Sequence, residues 1–290
     1  MKLVNLALVS VTLLGILAVG CKKAEADDDA ESGSLGTSEA QLVEDDAEAA
    51  ELDDDLEAGL DEPLSGAAES DPGSPAEAAS DDELMEKVRT NPGRFYKPAG
   101  CITSTRAGNV VTHVFAKCTG PYGMTEFNGT VTSTYAREPG KLTVTHEASG
   151  FSANGATVSG KRVVAYAREG ALITKSRTGS WSGTTAKGRP ITHEASFVTT
   201  YDASAKCITR DGSAQTSIGG RAFERAIDGF KRCGIGRAGC PESGTVVLSR
   251  TKDGESLSVT IGFPGGAKYQ VTRPNGTQVT RLLICNPNAG

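Results

Sequence analysis

From about residue 100 onward the chain alternates apolar and polar positions with a period of two. Lys141-Leu142-Thr143-Val144-Thr145-His146-Glu147-Ala148 does so, as do Ser256 to Ile261 and Ile191 to Phe197, among many short runs rich in Thr, Val and Ser separated by Gly or Pro. Such alternation sets one face on a core and the other in water, so these runs predict antiparallel strands. Helical spacing is rarer. Ser80-Asp81-Asp82-Glu83 has the form of a capping box leading into Leu84-Met85-Glu86-Lys87-Val88, with Asn91-Pro92-Gly93 as the stop. A second helix is expected from about Gly220 to Arg232, where Phe223, Ile227 and Phe230 share a helical face and Gly234 follows. The expected fold class is therefore all-β, an antiparallel meander or sandwich with one or two short helices.

The β region repeats itself. At an offset of 115 residues Phe115 meets Phe230, Cys118 meets Cys233, Gly129-Thr130-Val131 meets Gly244-Thr245-Val246, Leu142 meets Leu257, and Val144-Thr145 meets Val259-Thr260. Gly150-Phe151 meets Gly262-Phe263 after a small deletion, and upstream Cys101-Ile102-Thr103 recurs as Cys207-Ile208-Thr209. We read two related β units, about 101–206 and 207–290, within a domain spanning 87–290.

A different pattern opens the chain. Lys2 precedes an apolar run from Leu3 to Val19 that contains no acidic residue, the layout of a secretory signal. The run is interrupted and marginal for spanning a bilayer, which takes about 18 or more apolar residues. It ends in Leu17-Ala18-Val19-Gly20-Cys21, which resembles the lipobox of bacterial lipoprotein signal peptides. That resemblance implies cleavage of residues 1–20, diacylglycerol on Cys21, and a mature chain anchored to a membrane by lipid. Lys22 stands where an aspartate would favour inner-membrane retention in some bacteria, which points to the outer membrane.

Charge then divides the mature chain. Residues 24 to 86 hold 24 Asp and Glu and no Lys or Arg, among Ala, Ser, Gly and Pro. Like charges repel and little apolar surface is present, so residues 21–86 are expected to form a disordered acidic tether. The remainder carries 27 Lys and Arg against 12 acids, a formal +15 hidden by the overall -6. Such a domain is suited to an anionic glycan, another envelope polymer or a protein partner through summed electrostatics; nucleic acid is not the expected partner.

With Cys21 used by the anchor, Cys101, Cys118, Cys207, Cys233, Cys240 and Cys285 remain, an even count suited to three disulfides in an exported protein. Cys101 to Cys118, Cys207 to Cys233 and Cys240 to Cys285 follow as pairs if each repeat carries its own staple. The spacing does not suit zinc, and no metal or other cofactor is expected.

The stretch from Val110 to Gly123 followed by Gly129-Thr130-Val131, and Gly150 to Gly155 with the strand after it, resembles a strand-turn-strand pattern of uncharacterised bacterial surface lipoproteins. The resemblance implies a hairpin-rich β domain and no catalytic activity.

Chemistry is sparse. His146 and His193 sit in a repeated Thr-His-Glu-Ala-Ser string, and Ser149 and Phe197 stand around the spacing where a metalloprotease helix needs its second histidine. On strands both imidazoles share a face with apolar neighbours, and a sheet could bring them together. No Gly-x-Ser-x-Gly elbow or phosphate loop occurs. Trp181, with Arg177 and Lys187 nearby, is the candidate for ligand contact. These features favour a non-enzymatic envelope lipoprotein with a structural or binding role; the alternative is an envelope hydrolase with His146 or His193 as base.

Overall fold

The computed structural model describes residues 35–61, 80–90, 92–120, 123, 125–234, 240–252 and 254–283. The signal segment, Cys21 and Cys285 lie outside the described residues.

Thirteen strands form one antiparallel sheet in strict sequence order. They are β1 (Ile102–Ala107), β2 (Val110–Thr119), β3 (Glu126–Glu138), β4 (Lys141–Ala153), β5 (Ala156–Glu169), β6 (Leu172–Thr184), β7 (Pro190–Asp202), β8 (Cys207–Ile218), β9 (Arg221–Cys233), β10 (Pro241–Lys252), β11 (Glu255–Gly265), β12 (Lys268–Thr272) and β13 (Gln278–Leu282). The expected all-β meander is thus present as a single sheet. Connections are short because each strand pairs with its sequence neighbour.

The sheet's inner face is covered by a helix that the sequence reading did not anticipate. Helix α1 (Thr37–Leu56) continues into a π-helical turn at Glu57–Asp61. The expectation of a disordered tether across 21–86 is corrected for these residues. Leu42, Leu52, Leu56 and Leu60 recur at helical spacing and enter one core with Phe115, Phe127, Phe151, Phe197 and Phe230. Each such leucine contributes about 2 kcal/mol by burial, which supports a helix whose charges would otherwise repel.

Helix α2 (Asp81–Thr90) forms where the capping box places it, with the Glu83 amide donating to Ser80 Oγ at 3.2 Å. Its Leu84, Met85 and Val88 make a second core with Val111, Tyr135, Leu142 and Val144. A short helix, α3 (Pro92–Phe95), follows.

The helix expected from Gly220 to Arg232 is instead β9. Phe223 and Ile227, four apart, share a strand face as readily as a helical one, whereas Phe230 has the opposite parity. Gly229, with φ of 56°, and a register shift against β8 between Arg210 and Gly212 return Phe230 to the inner face. The bulge gives a strand the 4-then-3 spacing of a helix.

Residues matched at the 115-residue offset fall in corresponding strands, β2 with β9, β3 with β10 and β4 with β11. The ring pairs Phe115–Phe151 and Phe230–Phe263 both stand edge-on at 5.3 Å. Disulfides join Cys101 to Cys118 and Cys207 to Cys233. The expected bond of Cys240 to Cys285 lies outside the described residues.

Candidate functional site

The inner face between β5 and β9 carries cations where a core would ordinarily carry only apolar groups. In β6, Lys175, Arg177 and Trp181 point inward and are buried, while Thr178, Ser180 and Ser182 face water. Arg162 on β5, Arg210 on β8 and Arg225 on β9 join them. A run of acids on α1 meets this face.

Asp53 takes Arg162 Nη2 at 2.8 Å and Arg177 Nη2 at 2.5 Å. Glu57 takes Lys175 Nζ and Arg177 Nη1, each at 2.8 Å, with Arg210 at 3.8 Å. Asp61 stands 3.3 Å from Lys175 and 3.7 Å from Arg162. Near the helix start Asp45 accepts from Arg189 at 2.7 Å and from Arg221 at 2.8 Å. Arg225 lies 3.7 Å from Asp46. Polar bonds also tie the helix down: Thr125 Oγ1 and Asn154 Nδ2 donate to Asp55 at 2.6 and 3.0 Å. Tyr166 donates to the Asp61 carbonyl at 3.0 Å, and Tyr96 donates to the Gly59 carbonyl.

The electrostatics follow this geometry. Burial pushes the Asp53 and Glu57 carboxyls up, but Arg177 and Arg162 at Asp53, and Lys175, Arg177 and Arg210 at Glu57, outweigh it and hold both below the usual range. Asp54 lacks so close a partner, and burial pushes it up to about 7. The contrast shows which acids the cations of the sheet were placed to meet.

Each histidine faces a hydroxyl on the neighbouring strand. Ser104 Oγ lies 2.9 Å from His113 Nδ1, Ser133 Oγ 2.8 Å from His146 Nδ1, and Thr216 Oγ1 2.9 Å from His193 Nδ1. Each of these couples is also a directly opposed pair in the strand register. All three imidazoles are buried, and burial lowers His113 to about 3 and His146 and His193 to about 4. The sheet does not bring His146 and His193 together: β5 and β6 intervene, a separation of about 14 Å at ordinary strand spacing. Asp53 comes within 3.9 Å of His193 Nε2, beneath the helix.

The ligand contacts expected from sequence are distributed otherwise. Trp181 is 8% exposed and stacks on His193 at 4.7 Å, so it is not an exposed aromatic. Arg177 is buried against α1. Lys187 is exposed, and its ammonium lies 3.2 Å from Glu48 and 3.5 Å from Glu44 on the helix. The three do not form one patch. Cys207 and Cys233, the sulfurs that approach Glu242 as a ligand set would, are joined to each other.

On the outer face of β5 to β10 the sheet forms a trough of about 760 Å³. Ser180, Ser182, Thr192, Glu194, Gln215 and Ser217 are among the residues lining it. Their side chains are polar, in rows set by strand spacing.

No family model, curated protein or solved structure matches the chain.

Proposed function

We propose that this chain is a lipid-anchored envelope protein, held at the outer membrane through Cys21, with a non-enzymatic structural or ligand-binding role. The observation that carries the reading is the signal-like run ending at Cys21 together with the Cys101–Cys118 and Cys207–Cys233 disulfides, which suit an oxidising compartment. None of the described helices is long and apolar enough to cross a membrane.

In this reading the envelope polymer lies in the outer trough; the hydroxyls, Gln215 and Glu194 that line it support this as hydrogen-bonding groups for a glycan. The charge available to an anionic polymer is smaller than the sequence suggests. Residues 37–61 hold 11 acids and no base, and they engage the inner cations. The domain that binds therefore begins near residue 35, and the stretch from Cys21 to Leu35 spans at most about 50 Å when extended.

Intact mass measurement of the protein extracted from membranes tests the anchor. Acyl chains on Cys21 are expected; an unmodified Cys21 or a retained signal segment overturns it. Retention of the whole mature chain on envelope glycan, at low and high salt, tests the ligand; no retention at either salt removes the glycan reading.

A further inference from the structure

We propose that the inner face of the sheet is a receptor for acidic amphipathic helices, occupied in cis by Thr37–Asp61 and open to a helix of the same pattern on a partner protein. This rests on the binding reading above and extends it from a polymer to a protein partner.

The receptor is defined by the sheet. Arg162, Lys175, Arg177, Arg210 and Arg225 project from four strands whose backbone hydrogen bonds close within the sheet itself. Their spacing selects carboxylates at positions 46, 53, 57 and 61 of the occupant, while Phe127, Phe197 and Phe230 share one apolar core with its leucines. Alternating acids and leucines along one helix face identify the ligand as an acidic amphipathic helix, the helix-in-groove mode of recognition. A polyanionic glycan could meet the cations but would leave the apolar positions uncovered.

The resident helix fills this receptor incompletely. Asp46 is 2% exposed, its nearest cation among the described ion pairs is Arg225 at 3.7 Å, and its Oδ2 accepts no hydrogen bond. Both carboxylate oxygens of Asp61 likewise lack hydrogen bonds at 0% exposure. The Nε groups of Arg210 and Arg225 are also unpaired, and these two side chains line a small cavity with Asp46, Asp54 and His193 beneath the helix. Desolvated charges held this loosely favour the docked state less than well-formed pairs do. A π-helical turn at Glu57–Asp61 marks the end of the occupant that carries Asp61. A better-fitted helix on a partner thus has room to win over the resident one.

The cis helix competes at an effective concentration on the order of millimolar, so a free peptide meets a nearly filled site on the wild-type chain. The test uses a labelled synthetic peptide of residues 35–61 and the full mature chain, followed by fluorescence anisotropy. Glu57→Gln, which loosens the resident helix, is expected to raise peptide affinity about tenfold or more over wild type; should it fail to fold by circular dichroism, Glu44→Gln with Glu48→Gln at the exposed end replaces it. A peptide with Leu52 and Leu56 changed to Ser, and one with Asp53 and Glu57 changed to amides, are expected not to bind. Absence of binding to folded loosened variants, or equal binding of either control peptide or of an anionic glycan, overturns the proposal. Acylation of Cys21, read separately by mass, is unaffected by either result.

Discussion

Glu57 and Lys175 are 118 residues apart in sequence, yet the Lys175 ammonium lies 2.8 Å from Glu57 Oε1 with both side chains removed from water. That pair joins a segment whose composition suggests disorder to a strand whose cations would be intolerable in a core without it. Neither half is self-sufficient, so the acidic segment belongs to the folded domain.

Breaking the pair from one side is expected to be costly. Glu57→Gln leaves Lys175 and Arg177 short of a carboxylate and lowers stability by about 3 to 5 kcal/mol, whereas Glu57→Gln combined with Lys175→Met recovers part of that loss. Urea unfolding of the single and double variants checks it. A double variant that loses the sum of what Glu57→Gln and Lys175→Met each lose alone would mean that the pair is not coupled.

Removal of the helix is expected to abolish folding of the remainder. A chain of residues 80–290, which keeps α2, exposes the inner Arg and Lys cluster without its carboxylates and loses the four core leucines. Near-ultraviolet circular dichroism should show no fixed aromatic environment and heating no cooperative transition.

Acid is expected to destabilise the protein well above the carboxylate range. His113, His146 and His193 have folded pKa values lowered by burial from 6.5 to about 3, 4 and 4. Between pH 6.5 and about 4 the unfolded chain therefore takes up three protons that the folded chain refuses, and stability falls as pH falls through that window. Each histidine contributes on the order of 3 kcal/mol across it, since one pKa unit is about 1.4 kcal/mol. Asp54 acts in the opposite sense: raised to about 7, its contribution is present at low pH and lost as pH rises through that value. Comparing wild type with a variant carrying His113→Asn, His146→Asn and His193→Asn separates the two. The wild-type urea midpoint should fall between pH 6.5 and 4.5 relative to that of the variant; parallel profiles would refute the assignment.

The bulge glycines of the two repeats should differ in tolerance. A Cβ on Gly244, at φ of 112°, would come 2.3 Å from the Phe230 Cα, whereas one on Gly129, at 115°, would meet the Phe151 Cα at 3.2 Å. Both backbones are strained for alanine, and the first also clashes with main chain. Gly244→Ala is expected to cost about 2 to 4 kcal/mol and clearly more than Gly129→Ala, as thermal melting of the two variants would show.

Much of the fold was legible in sequence because its signals are local. Alternation in Lys141 to Ala148, Ile191 to Phe197 and Ser256 to Ile261 marks β4, β7 and β11, and the Ser80 cap marks α2. Two disulfides followed from the repeat. What escaped depended on partners remote in the chain. Acids in 37–61 look self-repelling until Lys175 or Arg177 is known to face them, although the spacing of Leu42, Leu52, Leu56 and Leu60 was a helical signal in plain view. Arg177 and Trp181 share the inward parity of β6, and the cation is tolerated there only because the remote acids Asp53 and Glu57 meet it. For β9, a glycine bulge gave a strand the spacing of a helix.

The central claim is that residues 37–61 fold as part of the domain. Amide hydrogen exchange of the full mature chain, read by mass spectrometry at peptide resolution, tests it most directly. Amides of residues 42–61 are predicted to exchange far more slowly than in the free peptide and to lose that protection in Glu57→Gln. Exchange of this segment at free-peptide rates while β5 to β9 remain protected would contradict the account.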